Sequence, residues 1–225
     1  MGIATVPMNE EVQVEIKLSN LSDMMFTFPK ETNTDHVKLL TKKTNFKAVT
    51  ACLRIFTDVA RDAGIFSLAT RSHINAFGIF KNGQASVQTL AQRAWVDFPG
   101  MTIPMNKWVS ICTTWTSETG LTQVWLNGQP STRKFVHKGL PITSPIITTL
   151  GQEQDSFGGG FDKKQSFVGM ISDVHMWDYV LSPCQLRGYA NDLYFTPGNV
   201  LNWRAMEYQI IGNVLEELKQ DQCKA

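Results

Sequence analysis

Two strand-like runs of the chain are separated by a long polar stretch, Gly151-Gln152-Glu153-Gln154-Asp155-Ser156-Phe157-Gly158-Gly159-Gly160-Phe161-Asp162-Lys163-Lys164-Gln165. The run before it, Ile146-Ile147-Thr148-Thr149, is β-branched, and the run after it, from Phe167 to Trp177, is apolar. Both are typical of strands. The stretch between them contains three carboxylates, three glutamines and a triple glycine, and glycine lets the backbone take positive φ. We therefore predict a loop that turns back on itself and gathers oxygen-bearing side chains.

The oxygen atoms of this loop are candidate ligands for calcium. Calcium takes about six to eight oxygens from carboxylates, side-chain amides and backbone carbonyls. A flexible loop that brings Glu153, Asp155, Asp162 and Gln165 together would supply them. The spacing does not match the EF-hand pattern, in which alternating ligands close on a glutamate. Spacing alone therefore leaves a solvated surface loop with scattered charge as the simpler interpretation.

Short apolar runs separated by turn signals recur along the rest of the chain. The longest, Ala48 to Phe56, surrounds a cysteine, and Thr122 to Leu126 leads into Asn127-Gly128. Phe77 to Phe80 leads into Lys81-Asn82-Gly83 in the same way. Asn-Gly between β-rich runs is a strong hairpin signal, because both residues tolerate positive φ. Many short strands at this spacing predict an all-β, two-sheet sandwich.

Three further segments carry secondary-structure signals. Val12 to Leu18 alternates apolar with polar residues and predicts an amphipathic strand, which either adds to a sheet edge or stays a mobile tail. Ser182-Pro183 offers an N-cap followed by proline at the first helical position, so a short helix is predicted from there through Cys184 to Ala190. The tail from Val214 to Gln222 could form a second short helix.

Composition excludes several classes of function. The 225 residues include 21 basic and 20 acidic side chains, a formal net charge of +1. A near-neutral chain has no electrostatic footprint for nucleic acid or an anionic membrane, and no apolar run approaches the ~20 residues of a membrane-spanning helix. No internal repeat or linker divides the chain. Met1 to Asp23 lacks the apolar region of a secretory signal, so either the signal was removed before this numbering began or the protein is not secreted by the usual route.

No catalytic constellation is apparent in the sequence. The four histidines, His36, His73, His137 and His175, are spread along the chain without metal-type pairing, and there is no nucleophile elbow or phosphate-binding loop. A glycoside hydrolase on a sandwich fold would need two carboxylates flanking a cleft, whereas the amide-rich loop around Glu153 suits a metal better. We therefore expect no enzymatic activity.

Five segments, in order along the chain, carry a resemblance to a known family. They are Phe26-Thr27-Phe28-Pro29-Lys30, Ser110-Ile111-Cys112-Thr113-Thr114-Trp115-Thr116-Ser117, Gln152-Glu153-Gln154-Asp155-Ser156-Phe157-Gly158-Gly159, Met176-Trp177-Asp178-Tyr179-Val180-Leu181-Ser182-Pro183 and Asn199-Val200-Leu201-Asn202-Trp203-Arg204. The second is similar to the signature His-x-Cys-x-Ser/Thr-Trp-x-Ser/Thr and lacks only its first position. From about Asp23 to about Gly212, the chain resembles the short pentraxins.

The resemblance implies an all-β, two-sheet antiparallel jelly-roll sandwich, lectin-like, with one short helix. It divides the chain into an N-terminal extension of unknown role, residues 1–22, and a pentraxin domain, residues 23–225. It also implies a disulfide between Cys52 and Cys112 that joins the two sheets, and with it an oxidising compartment. From the residues alone, two free buried cysteines would fit equally well.

The resemblance also implies two calcium ions per subunit. The implied ligands are the bridging carboxylates of Glu153 and Asp155, the backbone carbonyl of Gln154, the carboxylate of Asp162, the amide of Gln165 and the amide of Asn75 from a loop far away in the sequence. Two positions depart from the family: Ile74 stands where it has an aspartate, and Asp162 where it usually has a glutamate. Because ligand charge tunes calcium affinity over several orders of magnitude, we expect weaker binding than in mammalian relatives.

The ligand pocket departs from the family as well. In that family, bound calcium holds the phosphate of phosphocholine, while an apolar pocket and a glutamate receive the choline. Phe80 matches the pocket phenylalanine, but the acid should fall near Arg93, and only Asp97 is acidic nearby. An arginine there would repel a quaternary ammonium group. We therefore expect phosphocholine to be disfavoured, and phosphoethanolamine, pyruvylated or phosphorylated sugars and other anionic ligands remain open.

The function implied is that of a secreted, calcium-dependent pattern-recognition lectin of innate immunity, which binds phosphate-bearing or acidic groups on microbes and damaged cells. The resemblance implies a cyclic homo-oligomer, a pentamer or a smaller ring, with complement components and Fc receptors as partners. One alternative is an adhesion or structural module whose calcium loop is degenerate. Another is an intracellular protein that retains the fold, and a disulfide in native material would argue against it.

Cys184 and Cys223 lie outside the core pattern of the family. With Cys52 and Cys112 paired, the even cysteine count leaves these two for each other, and we predict a bridge between the helix and the C-terminal tail. A free thiol on the helix and a bridge between neighbouring subunits are the alternatives.

Overall fold

Residues 15–220 are the part of the chain that the structure, a computed structural model, describes. They form nineteen β-strands, one α-helix and two 3-10 turns, at Lys163–Gln165 and Trp203–Ala205. The elements in chain order are β1 (Lys17–Ser19), β2 (Met24–Phe28), β3 (His36–Leu40), β4 (Asn45–Phe46), β5 (Ala48–Phe56), β6 (Ala63–Thr70), β7 (Phe77–Asn82), β8 (Ser86–Ala91), β9 (Ala94–Pro99), β10 (Val109–Thr116), β11 (Leu121–Leu126), β12 (Gln129–Pro130), β13 (Lys134–Phe135), β14 (Ile142–Thr143), β15 (Ile146–Leu150), β16 (Gly169–Trp177), α1 (Pro183–Ala190), β17 (Leu201–Asn202), β18 (Met206–Ile211) and β19 (Leu215–Leu218).

Two antiparallel sheets enclose one hydrophobic core. The eight-stranded sheet has the order β1-β18-β3-β15-β6-β7-β8-β9. The nine-stranded sheet has the order β12-β11-β10-β5-β16-β2-β19, and in addition β13 pairs with β11 and β17 pairs with β16. Side chains alternate across each strand, so one face of each sheet supplies the core. The largest side chains of this core include Phe26, Phe66, Phe77, Trp115 and Trp203. The predicted two-sheet antiparallel sandwich with one short helix is confirmed.

The Cys52–Cys112 disulfide is present, but it does not join the two sheets. Cys52 lies in β5 and Cys112 in β10, and the two are directly paired in the nine-stranded sheet, with Cα atoms 4.1 Å apart. The predicted pairing is confirmed, whereas its predicted location was wrong. Directly opposed residues of an antiparallel pair project to the same face. Since Leu53 and Ile111 next to the cysteines point into the core, the bridge lies on the outer face.

Helix α1 covers this disulfide. Its N-terminus is capped as predicted: Ser182 accepts the Gln185 N–H, the Gln185 side chain accepts the Ser182 N–H, and Pro183 occupies the first turn. The helix packs on the outer face of the nine-stranded sheet through a second, smaller apolar cluster. That cluster consists of Cys52, Cys112, Trp125, Trp177, Leu181, Leu186 and Tyr189.

The described part of the predicted N-terminal strand adds to a sheet edge. Val12 and Val14 lie outside the described residues, but β1 pairs with β18 at the end of the eight-stranded sheet. Lys17 points inward, and its Nζ lies 3.0 Å from an Oε2 of Glu216 in β19, the last strand of the other sheet. This ion pair connects the edges of the two sheets on one side of the sandwich.

The predicted tail helix from Val214 to Gln222 was wrong over its described part. Residues Leu215–Leu218 pair with β2 as β19, and the Thr27 hydroxyl donates a hydrogen bond of 2.6 Å to Glu217. A helix of this length is marginal in water, whereas the free edge of β2 offers a row of backbone hydrogen-bond partners. The neighbouring strand therefore overrides the local helical preference.

His175 is a buried, uncharged member of the layer under α1. It is 2% exposed, its Nδ1 accepts the Gly198 N–H (3.2 Å), and its ring contacts those of Trp177 and Phe195. Burial lowers the pKa of His175 from 6.5 to about 3, and the charges of Arg204 and Lys219 contribute in the same direction. Protonation of this ring therefore opposes the folded state.

His175 should make the fold sensitive to acid. Because its pKa is lower in the folded chain than in the unfolded chain, its contribution to stability is complete above about pH 6.5 and is lost as the pH falls towards 3. A group of this kind contributes up to about 1.4 kcal/mol per pH unit over that window. His175→Gln keeps an acceptor for Gly198 but does not titrate, so its stability should fall less between pH 7 and 5. Urea denaturation at a fixed protein concentration measures both slopes, and equal slopes would contradict the assignment.

Candidate functional site

Residues 151–165 form a loop that leaves β15 and folds back over the outer face of the eight-stranded sheet. The Gly151 N–H donates to the Ile65 carbonyl (3.1 Å), and the Gly151 carbonyl accepts the Phe167 N–H (2.9 Å), so the loop closes beside β6. Gly151 has a φ of +83°, and a Cβ at this position would overlap the ring of Phe28. The closure therefore requires glycine.

Gln154 attaches the loop to the sheet. Its Nε2 donates to the carbonyls of Ser67 (3.0 Å) and Ile147 (3.2 Å), its backbone N–H donates to the Ser67 Oγ (3.2 Å), and its Oε1 accepts the Gly158 N–H (2.9 Å). The residue is completely buried. Since its amide is used within the protein, the backbone carbonyl is the oxygen that Gln154 could offer to an ion, which is the atom implied by the resemblance.

Glu153 lies next to Gln154 with its side chain buried. Gly64 in β6 permits this, because a Cβ there would lie 2.8 Å from the Glu153 nitrogen. Burial raises the pKa of Glu153 to about 7, the charge of Asp155 raises it as well, and hydrogen bonding from Asn75 acts in the opposite direction. The fold therefore brings Asn75 from a distant part of the chain to Glu153, which also lies near Asp155.

Three oxygen atoms of the predicted ligand set are buried without a hydrogen-bond partner among the described residues. They are Asn75 Oδ1, Glu153 Oε1 and Gln165 Oε1. A buried polar atom without a partner costs about 1–3 kcal/mol. Carboxylate and amide oxygens are the ligands that calcium prefers. The chemistry of this donor set therefore fits the ion.

Asp162 is placed differently from the other predicted ligands. It is exposed, and its Oδ1 accepts the Lys164 N–H (2.9 Å), capping the 3-10 turn at Lys163–Gln165. Within residues 15–220, no three His, Cys, Asp or Glu side chains form a metal-binding cluster, so Asp162 is not grouped with Glu153 and Asp155. An ion at this loop would depend on amide and carbonyl oxygens as much as on carboxylates.

The turn between β8 and β9 packs against the segment that carries Asn75. Gln92 and Arg93 have φ values of +50° and +72°, as the two-residue turn of a hairpin requires. The Arg93 N–H donates to the Asn75 carbonyl, and its guanidinium donates to the Ser72 carbonyl, each at 2.8 Å. Ile74, half-buried, lies on the same segment. The positive charge of Arg93 is therefore held beside a predicted calcium ligand.

Phe80, the predicted pocket residue, is largely covered. It is 5% exposed, and the ring of Trp95 in β9 meets it edge to face, with centroids 4.8 Å apart. Trp95 itself is 43% exposed. Asp97 lies two residues further along β9. In the sheet register it is opposite Gln88 of β8, and Gln88 is opposite Phe80 of β7. The accessible aromatic surface is thus Trp95, and a carboxylate lies on the same face of the strand.

Sequence reasoning missed three residues that shape the site. Ser67 anchors Gln154, Trp95 covers Phe80, and the Arg71 guanidinium lies 5.1 Å from the ring centroid of Phe157 in the loop. A polar residue inside the apolar run of β6 was an available signal for Ser67. Local sequence contains no signal for the other two, because each depends on which distant segment packs beside it.

Comparison with known proteins identifies the family. A model of the Pentaxin family, an alternative spelling of pentraxin, matches residues 24–217. The chain belongs to the Pentaxin family. It is 39% identical over 205 residues to the serum amyloid P-component of Bos taurus, with 88% of each chain covered. It is 40% identical over 210 residues to the C-reactive protein of Sus scrofa, with 89% of this chain and 92% of the relative covered. A heptameric SAP-like pentraxin from Limulus polyphemus superposes with a TM-score of 0.80 at 25% identity, covering 89% of this chain and 97% of the other.

Two features of this pentaxin fall outside the matched segment or the described residues. Strand β1 precedes the match, which begins at residue 24. Cys184 is exposed at the start of α1 and has no disulfide partner within residues 15–220. Its predicted partner, Cys223, lies outside the described residues, so the bridge stays a prediction.

Glu153→Gln should stabilise the metal-free pentaxin chain at about pH 8. A carboxyl group whose pKa rises from 4.5 to about 7 on folding contributes stability that is present below about pH 4.5 and is lost as the pH rises through 7. Glutamine carries no charge, so the variant should avoid this loss and exceed the wild type by about 1–3 kcal/mol at pH 8. Urea denaturation with a chelator at about pH 4.5 and 8 measures the difference.

The matched control is Asp155→Asn, which removes the same charge from an exposed side chain two residues away. It should change the free energy of unfolding less than Glu153→Gln does. A Glu153→Gln effect of equal size at both pH values would show that the buried charge is not its cause.

Proposed function

We propose that this pentaxin is a calcium-dependent pattern-recognition lectin of innate immunity, which binds phosphate-bearing or acidic groups on microbes and damaged cells. The observation that supports it best is the set of buried oxygens without partners at Asn75, Glu153 and Gln165. Burying such oxygens without a partner destabilises the metal-free chain, and a bound cation would offset this cost by coordinating them. The proposed activity is recognition without catalysis.

The loop and the Asn75 segment would hold two calcium ions per subunit. The proposed ligands are Asn75, Glu153, the Gln154 carbonyl, Asp155, Asp162 and Gln165. When bound, calcium supplies a positive charge that attracts an anionic oxygen of the ligand. Glu153 must lose its proton before it can act as a calcium ligand. The hydrogen bonds of Gln154 would keep the loop backbone against β6 during this deprotonation.

The proposed affinity for calcium is low. Ile74 offers no oxygen beside Asn75, and one oxygen of Asp162 is already engaged by the Lys164 N–H. Affinity depends on the number of charged ligands, and extracellular modules bind calcium at about 0.1–1 mM. We expect this site to fall in that range.

Calcium should raise the melting temperature of the wild-type chain and protect residues 151–165 from proteases. A ligand that binds only the folded state stabilises it, and exposed loops are preferred sites of cleavage. A Glu153→Gln, Asp155→Asn double variant should lose both effects. Thermal unfolding and limited proteolysis with chelator or about 1–5 mM calcium test this, with magnesium as the matched cation.

The second candidate function is an adhesion or structural module with a degenerate site, which Ile74 and the engaged Asp162 favour. Under that alternative, the melting temperature and the cleavage pattern would be the same with chelator and with calcium. The same titration therefore decides between the two candidates.

Arg93 is the proposed determinant of ligand choice. Its guanidinium is held beside Asn75 by its bond to Ser72, so it would favour an anionic group and oppose a quaternary ammonium. Trp95 offers an exposed ring for the body of the ligand. Phosphoethanolamine, phosphorylated or pyruvylated sugars and other acidic glycans fit this arrangement better than phosphocholine.

Phosphocholine should compete more weakly than phosphoethanolamine for the calcium-loaded protein. Arg93→Glu replaces the repulsive charge with the acid that the family uses, so it should reverse the order. Competition against immobilised phosphoethanolamine measures both. The proposed role of Arg93 fails if, on the wild-type protein, phosphocholine competes as well as phosphoethanolamine does and Asp97→Asn abolishes that competition. In that case Asp97 is the carboxylate that receives the choline group.

A cyclic homo-oligomer is part of the proposal. The Limulus relative is a heptamer, and heterologous contacts close into a ring when the rotation between subunits permits it. A pentamer is expected, and β1 could alter a lateral contact and reduce the number. A ring would convert weak single sites into strong multivalent binding.

Multi-angle light scattering should give a mass that is a whole multiple of the 25.3 kDa chain, about five times that mass for a pentamer. A chain that lacks residues 1–19 has no β1. Its number of subunits per ring should differ from that of the full chain only if β1 takes part in a lateral contact. A monomer at micromolar concentration would contradict the ring.

The proposed location is extracellular. A disulfide such as Cys52–Cys112 persists in oxidising compartments, and no helix within residues 15–220 is long and apolar enough to cross a membrane. Complement components and Fc receptors are proposed partners through the family alone, without assigned contact residues.

A further inference from the structure

Asn20 begins the short turn between β1 and β2, and the residue after it anchors that turn to the sandwich. Leu21 is completely buried. Its N–H donates to the Trp203 carbonyl (2.9 Å), and its carbonyl accepts the Met24 N–H (2.8 Å). Asn20 itself is exposed. The fold therefore presents the Asn20 side chain to solvent from a fixed position of the backbone.

The two polar atoms of the Asn20 amide are in different environments. The Oδ1 atom accepts both the Ser22 N–H (3.1 Å) and the Ser22 hydroxyl (2.6 Å). The Nδ2 atom has no hydrogen-bond partner within residues 15–220. The turn therefore engages the oxygen of the amide and leaves its nitrogen accessible.

Asn20-Leu21-Ser22 is also the one Asn-x-Ser/Thr sequence of the chain. Such a sequence, with any central residue except proline, is the acceptor for N-linked glycosylation in the secretory pathway. A glycan is bulky and hydrophilic, so it requires an acceptor at the protein surface. Asn20 meets this requirement, and the Cys52–Cys112 disulfide is of the kind that forms in the same oxidising compartment.

Asn20 continues a row of exposed side chains along β1. Ile16 is 61% exposed and Leu18 is 67% exposed, whereas Lys17 and Ser19 are half-buried. Successive side chains of a strand point to opposite sides, so Asn20 lies on the side of Ile16 and Leu18. Among the described strands, β1 is the last of the eight-stranded sheet, and an edge strand with exposed apolar side chains can pair with another chain. A hydrophilic group on Asn20 would shield this edge.

We propose that Asn20 carries an N-linked glycan that shields the edge of β1. In the transfer, the Nδ2 atom forms a bond to the anomeric carbon of a lipid pyrophosphate-linked oligosaccharide. The bond from that carbon to the pyrophosphate oxygen breaks, the lipid pyrophosphate leaves, and one Nδ2 proton is released to solvent. The proposal rests on the proposed extracellular location, because the oligosaccharide donor belongs to the secretory pathway.

Secretion of the full chain from eukaryotic cells, behind an added cleavable signal sequence, tests the acceptor separately from the native location. The wild type should lose mass on treatment with peptide N-glycosidase, which converts Asn20 to aspartate, and peptide mapping detects this conversion. Asn20→Gln and Ser22→Ala should lack the glycan, whereas Ser22→Thr should retain it. Asn33→Gln is the matched control, because Asn33 is an exposed asparagine with no hydroxyl two residues later, and it should keep the glycan.

A secreted wild type that has the Cys52–Cys112 disulfide but no glycan would overturn the proposal and leave the extracellular location intact. Native protein that has neither the disulfide nor the glycan would overturn the location and the proposal together. A glycan retained in Ser22→Ala would show that the modified residue is not Asn20.

Light scattering at several protein concentrations tests the shielding. The mass of the glycosylated wild type should stay constant, whereas the mass of Asn20→Gln should rise with concentration as exposed edges pair. Adding Leu18→Lys to Asn20→Gln should restore a constant mass, because a charge on an edge strand also opposes pairing. A constant mass for Asn20→Gln alone would show that the glycan does not shield this edge.

Discussion

The attachment of Gln154 to β6 governs the position of the whole loop at residues 151–165. A stretch of fifteen residues rich in glycine and charge has little apolar surface with which to hold itself in place. The buried amide compensates by bonding to Ser67, Ile147 and Gly158 at once. Each such bond contributes about 0.5–1.5 kcal/mol, and an unmatched buried amide would cost more than that. The loop therefore has one favourable position on the sheet.

That position has an electrostatic consequence for Glu153. The same closure buries the carboxylate against Gly64 and near the charge of Asp155, which is unfavourable for an ionised group. Residues held in unfavourable states by the surrounding structure are common at functional sites. Here the sheet enforces the arrangement, and a cation is the partner that would relieve it.

The two outer faces of the sandwich differ in chemical character. The outer face of the eight-stranded sheet carries the polar loop, with Arg93 and Trp95 at its margin. The outer face of the nine-stranded sheet is apolar around the Cys52–Cys112 bridge and is covered by α1. The polar loop and the apolar layer under α1 therefore lie on opposite surfaces of the sandwich.

Local patterns in the sequence were enough to predict the strands with strong signals, the α1 cap and the family. The apolar run of β5, Asn127-Gly128 after β11 and Ser182-Pro183 before α1 act over a few residues, so they can be interpreted without knowing the fold. Residue types also predict that the loop supplies oxygen ligands, and this stays a prediction. Three other features follow from tertiary packing: the disulfide joins neighbouring strands of one sheet, Leu215–Leu218 pairs with β2 rather than forming a helix, and Trp95 covers Phe80. These features depend on which distant segment lies alongside, and pairing between strands is set by burial and backbone hydrogen bonding across the sheet, which no local pattern specifies.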